Sequence, residues 1–481
     1  MKKLTFIAAL VLTFLLVPTS IKAEVKLPAI VSSNMVLQRN TNVVLWGWAD
    51  ANEKINITTS WSKEVKNIQA DAEGNWRISV KTTNSLEPQT IKIKSDASTI
   101  TLDNILFGEV WLCSGQSNML RQIKGKAGQP VFGSLMTIAK ANNPNLRLFN
   151  VDFNHSNLLL KDVKKYIAWQ AATPANVGDF SAVGYYFGQQ LQEILGCPVG
   201  IINSSVGGSA VETWMSEESF SPFKKPNVPA GELKVTDTPN VLFNAMIKPL
   251  TSFTIKGVLW YQGEANKNEP DNYKKLFPEM VKDWRKLWNI GDFPFYYVQI
   301  APFASGNPTA FKAPDNSAYM REAQLQCLDL IPNSAMAVTL DIGEEKNIHP
   351  PKKKEVADRL LFIALNKTYG FSTVDCETPI YKSQEVKEGG LLLSFKNAES
   401  GLYAYNELAD FEIAGDNKVF YPAKASIVQG KLLLVSSPKV PNPVAVRYGW
   451  SKWVLGTLYG ANLLPASSFR TDTWDEATRA E

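Results

Sequence analysis

Histidine is almost missing from this chain: 481 residues carry two, His155 and His349. Any step that needs an imidazole must use one of them, and a zinc site built on several histidines is excluded. Cysteine is scarce as well. Cys113, Cys197, Cys327 and Cys376 match no zinc spacing, and a chain of this length does not need disulfides to stabilise its core. Three pairings are possible on paper, and buried free thiols are an equal alternative. There is no low-complexity tract, no internal repeat and no large surplus of one charge, the formal net charge being +4. The one long apolar run, Phe6 to Pro18, is short for crossing a bilayer.

That run has the make-up of a secretory signal. Lys2 and Lys3 precede it, and Ser20-Ile21-Lys22-Ala23 offers a cleavage site. A retained anchor is the alternative. Cleavage after residue 23 removes three lysines and no acid, which lowers the net charge from +4 to +1. A nearly neutral mature protein has no electrostatic reason to bind nucleic acid or an anionic membrane. The expected location is periplasmic or secreted.

What is there divides into three stretches. Residues 24–105 alternate in short runs such as Val43-Val44-Leu45-Trp46, Ile55-Asn56-Ile57, Trp76-Arg77-Ile78 and Ile91-Lys92-Ile93, punctuated by Asp50-Ala51-Asn52 and Glu73-Gly74-Asn75. This pattern predicts a small β-sandwich. Residues 106–370 alternate strand with helix. Strands are expected at 106–113, 145–151, 198–204, 255–261, 294–300 and 335–342, with helices at 181–195, 273–288, 318–329 and 352–369. Apolar strands alternating with helices predict a parallel sheet covered on both faces, with its site at the strands' C-terminal ends. Residues 371–481 lose the helical period and read as a further β region. Segments 120–144 and 215–240 are insertions after strand ends, suited to shaping a pocket.

Four strand ends carry chemistry. At the first, an apolar run ends in Cys113-Ser114-Gly115-Gln116-Ser117-Asn118, which puts a serine hydroxyl at the tip of a turn. Such a hydroxyl attacks esters only when a base takes its proton. The second, Asn203-Ser204-Ser205-Val206-Gly207-Gly208, brings glycine backbone close to a ligand. The third, Trp260-Tyr261-Gln262-Gly263-Glu264, offers an amide that can donate to an oxyanion and a carboxylate that can tie loops together or meet substrate. The fourth, Asp341 to Pro350, returns His349 to the same edge. His155 instead sits in the polar insertion Asn154-His155-Ser156-Asn157.

Together the blocks Gly115-Gln116-Ser117-Asn118-Met119, Trp260-Tyr261-Gln262-Gly263-Glu264 and Ile348-His349-Pro350 resemble the signatures of sialate O-acetylesterases within the SGNH hydrolases. The resemblance extends over most of the mature chain, to Arg447-Tyr448-Gly449-Trp450 and Phe469-Arg470-Thr471-Asp472. It implies a flavodoxin-like three-layer α/β catalytic domain and hydrolysis of O-acetyl esters on sugars without metal or cofactor. Ser117 would be the nucleophile and His349 the base. The Ser117 N–H, a glycine of the Gly207-Gly208 pair (Gly208 by choice) and Gln262 would form the oxyanion hole.

Two positions depart from the family pattern: Asn347 stands where many members have Asp, and Ala265 where many have Ser. An amide cannot neutralise an imidazolium. Either another acid orients His349, with Asp341 named first and Glu344 or Glu345 after it, or the pair works as a dyad. Arg321 or Arg121 is a candidate for a sialic acid carboxylate, and Trp214 or Tyr319 for stacking on a sugar. The leading expectation is an exported sialate O-acetylesterase. Beside it stand an esterase of acetylated plant or host polysaccharide and a non-catalytic glycan-binding protein on a degenerate hydrolase fold.

Overall fold

The computed structural model describes residues 24–480 apart from 225–233, 305, 307–309, 314 and 388. The expected signal, residues 1–23, lies outside these. A central sheet runs through the middle of the molecule. Its strands are β1 (Thr99–Gly115), β2 (Asn143–Val151), β3 (Tyr166–Ala172), β4 (Val199–Ser205), β5 (Gly257–Tyr261), β6 (Phe295–Val298) and β7 (Ser334–Ala337). Their order is β7-β6-β5-β1-β4-β2-β3. Neighbours are parallel except β3, which pairs antiparallel with β2 at one edge. The sheet is therefore mixed rather than purely parallel.

Alternate residues of β1 face opposite layers. Val110 and Leu112 join one apolar cluster, Trp111 and Cys113 the other, as the two-residue period of a strand requires. Helices α2 (Ala182–Leu195) and α5 (Lys353–Lys367) cover the Trp111 face. Between them in sequence, α3 (Pro270–Trp288) covers the other, through Phe277 and Trp284 packed round the Trp260 indole. The ends of these helices are written locally. Ser181 caps α2 by accepting from the Gly184 N–H, and Gly196 ends it in the left-handed region. Pro270 opens α3 and Asn289, at φ 52°, closes it.

The sandwich stretch contributes an antiparallel pair, Asn42–Trp48 with Asn75–Lys81, and a sheet built from Lys54–Thr59, Ser62–Gln69 and Gln89–Lys94 that is continuous with β1. The expected boundary at 105/106 thus falls inside one strand. Val36–Gln38 pairs in parallel with Leu106–Gly108. There the buried Glu109 carboxylate accepts from Arg39 Nε at 2.7 Å and Gln38 Nε2 at 2.9 Å. The last stretch forms a four-stranded antiparallel sheet with Gly390–Lys396 and Leu432–Ser436 inside it, and a five-stranded one around Ala445–Tyr448. All four cysteines are buried free thiols.

Candidate active site

Register places the site. Ser205 of β4 and Tyr261 of β5 both lie level with Gly115 of β1, so the three strands end side by side and their next residues share one edge. Gly115 has φ +128°, and a Cβ there would sit 2.3 Å from the Tyr261 carbonyl oxygen. Only glycine permits the chain to turn here and release Ser117 upward. Ser117 begins the short helix α1 (Ser117–Leu120). A Cβ on Gly207 would come 3.5 Å from the Ser117 Cβ, whereas Gly208, at φ +74°, has open space about it.

His349 arrives from the loop between β7 and α5. Its Nε2 lies 2.8 Å from Ser117 Oγ, a distance at which the imidazole can take the hydroxyl proton. Burial draws the His349 pKa down to about 4, and the Arg121, Lys353 and Lys126 cations push the same way. The ring is therefore neutral at pH 7, with a lone pair free on one nitrogen. Because Nε2 must present its lone pair to the hydroxyl, the proton belongs on Nδ1. That atom is buried and has no hydrogen-bond partner among the described residues. His155 is exposed, its ring against Phe153.

Several expected roles need correction. Asp341 does not orient His349: its two oxygens accept from Arg359 at 2.8 and 2.7 Å, which satisfies a guanidinium otherwise buried without a counter-ion. Asn347 uses its Oδ1 to accept the His349 backbone N–H at 3.0 Å, so it too leaves the ring alone. Gln262 is not an oxyanion donor. Both hydrogens of its fully buried amide are spent, on the Ser209 carbonyl at 3.1 Å and Asn266 Oδ1 at 2.7 Å, and they brace the loops after β4 and β5. Arg321 does not face a substrate either. Fully buried in α4 (Ala318–Gln326), it donates to Ser468 Oγ and to the Gly449 and Ser451 carbonyls, fastening the C-terminal β region to the sheet.

The aromatic candidates are also structural. Trp214 is fully buried with its indole N–H on Ser209 Oγ at 2.9 Å. Tyr319 packs edge-on against Trp450. Glu264, offered for substrate, accepts instead from Asn118 Nδ2 at 2.6 Å, the loop-tying alternative. Burial raises its pKa, against the pull of Asn118 and Lys353.

Two residues at the site, Asn118 and Lys353, were given no role by the motif reading, whereas Arg121 was already a carboxylate candidate. Asn118 and Lys353, each about 1% exposed, bond to one another. Arg121 stands beside His349 with a buried Nε that has no partner among the described residues. A lysine in the first turn of a helix opposes the helix dipole, and that oddity at Lys353 was the available signal. Next to Gly207 opens a cavity of about 390 Å³, lined among others by Leu120, Gln122, Asn203 and Ser205.

A mixed sheet with further β sheets at the C-terminus is consistent with a carbohydrate esterase fold. The sequence profile described as "Carbohydrate esterase, sialic acid-specific acetylesterase" matches residues 108–358. The chain belongs to that family, and it is an esterase. It is 27% identical to the sialate O-acetylesterase of Mus musculus, over 91% of this chain and 93% of that protein. To the Homo sapiens sialate O-acetylesterase it is 28% identical, over 88% and 87%. Among solved structures it is similar to a carbohydrate acetylesterase from Xanthomonas citri. The TM-score is 0.86 and the identity 34%, over 94% of this chain and all of that one.

Proposed function

We propose that the mature chain is an exported serine esterase that removes O-acetyl groups from sugars, O-acetylated sialic acids foremost. It would use an SGNH, flavodoxin-like catalytic unit at about residues 106–370. The observation that carries the reading is the 2.8 Å approach of His349 Nε2 to Ser117 Oγ at the shared ends of β1, β4 and β5.

In this reading Ser117 Oγ attacks the acetyl carbonyl carbon while His349 Nε2 takes its proton. The tetrahedral oxyanion is met by main-chain N–H groups of Ser117 and the Gly207-Gly208 turn. Collapse breaks the bond to the sugar oxygen, which receives the proton from His349 and leaves as an alcohol. Water then attacks acetyl-Ser117, giving its proton to His349; collapse breaks the bond to Ser117 Oγ, which takes that proton back from His349, and acetate is released. No carboxylate among the described residues bonds the His349 ring, so in this reading the pair works as a dyad.

Sialic acid as the substrate is supported by the family and by Arg121. Its guanidinium, beside His349 and without an ion pair among the described residues, suits a carboxylate on the sugar. Export is supported by the composition of residues 1–23. The test is Ser117→Ala assayed by acetate release from O-acetylated sialic acid and from p-nitrophenyl acetate. Both activities should vanish while the circular dichroism spectrum stays unchanged. Near wild-type turnover by the folded variant would refute the mechanism.

A further inference from the structure

Asn118 follows the nucleophile, and its side chain is fully engaged. Its Oδ1 accepts from Lys353 Nζ at 2.5 Å. Its Nδ2 donates to Glu264 Oε1 at 2.6 Å and to the Ile348 carbonyl at 3.1 Å. An ammonium can only donate and a carboxylate can only accept. The Ile348 carbonyl can likewise only accept, so the Asn118 amide has a single orientation with its NH₂ turned towards Ile348; burial draws the Lys353 pKa down to about 7, so its ammonium form is fullest below that pH. Lys353 also lies 5.6 Å from the centre of the Tyr261 ring, so α1, β5 and α5 meet at this point.

The bond Asn118 grips is the peptide that joins Ile348 to His349. Its C=O is held by Asn118, and its N–H is held by Asn347 Oδ1 at 3.0 Å. Both ends of one peptide are thus tied down immediately before the imidazole, whereas the ring's own Nδ1 has no partner among the described residues. In a triad the acid orients the base through that nitrogen. Here the means of orientation lie in the backbone.

We propose that Asn118, Lys353 and Glu264 form a buried clamp that positions His349 against Ser117 through the Ile348–His349 peptide, in place of a triad acid. Lys353 and Glu264 are positioning residues acting through Asn118. The proposal rests on the Ser117–His349 reading above. The charged groups facing His349 are Arg121 after α1, Lys126 in the following loop and Lys353 of α5. Those facing Lys353 are Glu264 and Arg121.

The test compares Asn118→Ala, Lys353→Met and the charge-balanced pair Lys353→Met with Glu264→Gln. The pair leaves no buried charge unmatched and so guards against a variant that merely fails to fold. The substrate is p-nitrophenyl acetate, and the second readout is the His349 pKa by NMR. With two histidines in the chain, His155→Gln assigns the signals. We expect each folded variant to lose at least about tenfold in kcat with KM within about twofold. Both lysine variants should also raise the His349 pKa, because a nearby cation is gone. Unchanged kcat and pKa in the folded variants, or a loss confined to KM, would overturn the clamp. If the wild-type protein does not turn over the ester, the serine reading fails. The clamp is then judged on the NMR alone: it is overturned if Asn118→Ala leaves the His349 ring signals unmoved.

Discussion

Acid tolerance is the sharpest consequence of the site. The base must be neutral to act, so kcat/KM falls as pH drops through the His349 pKa. An unperturbed imidazole titrates near 6.5. Here burial, assisted by the Arg121, Lys353 and Lys126 charges, lowers the value to about 4. At pH 5 a base of pKa about 4 is roughly nine-tenths neutral, whereas one titrating near 6.5 is about 3% neutral, a difference of roughly 30-fold in active enzyme. The direction is unambiguous. Proton binding is weakened in the folded state, so with His349 as the base activity should persist below the ordinary histidine range. By the same linkage, folding stability is full above about pH 6.5 and declines towards pH 4, since the unfolded chain binds the proton more readily. The assay is acetate release under kcat/KM conditions from about pH 3.5 to 8, with circular dichroism at each pH to separate titration from unfolding. Arg121→Met, which removes a cation, should move the acid limb upwards. A wild-type limb centred near 6.5 in folded protein would refute the reasoning.

The other predictions concern single residues. His349→Ala should lose at least about three orders of magnitude in kcat while His155→Ala keeps near wild-type activity, and the reverse result would move the base to the polar insertion. Asp341→Asn should cost stability, on the order of 3 kcal/mol, because Arg359 loses a charged partner where both side chains are about 10% exposed. Chemical denaturation would measure this, and the folded variant should turn over within about threefold of wild type. A loss of orders of magnitude in kcat would restore Asp341 to the catalytic group. Turnover after dialysis against EDTA should be unchanged, since in the proposed mechanism Ser117 and His349 supply nucleophile and base between them. Loss reversed by a divalent ion would count against a serine mechanism.

The parts of the fold legible in the sequence were those written as local pattern. The apolar runs at 106–113 and 198–204 and the extent of α2, expected at 181–195, were readable because period is a short-range property. So was the meeting of Ser117 with His349, because parallel strands deliver their C-terminal ends to one edge. What could not be read was which polar group each side chain would choose. Gln262 and Arg321 have the right chemistry for an oxyanion and a carboxylate, yet both are spent on bracing loops. Asp341 sits eight residues before His349 but closer in space to Arg359, one and a half helical turns into α5. Partner choice depends on three-dimensional neighbours, and no spacing rule encodes it. The antiparallel edge strand β3 was missed because three of its seven residues are alanine, which favours strands only weakly, and its exposed Tyr166 and Ile167 break the two-residue alternation.

Strand β1 has a consequence for how this enzyme can be taken apart. A fragment cut at residue 106 would begin in the middle of a strand that runs from Thr99 to Gly115. It would leave Leu106–Gly108 without the Val36–Gln38 neighbour, and the Glu109 carboxylate without Arg39 and Gln38. The N-terminal β stretch and the strand that leads to Ser117 thus share one piece of backbone, and recombination that exchanges either is expected to need both sides of that strand together.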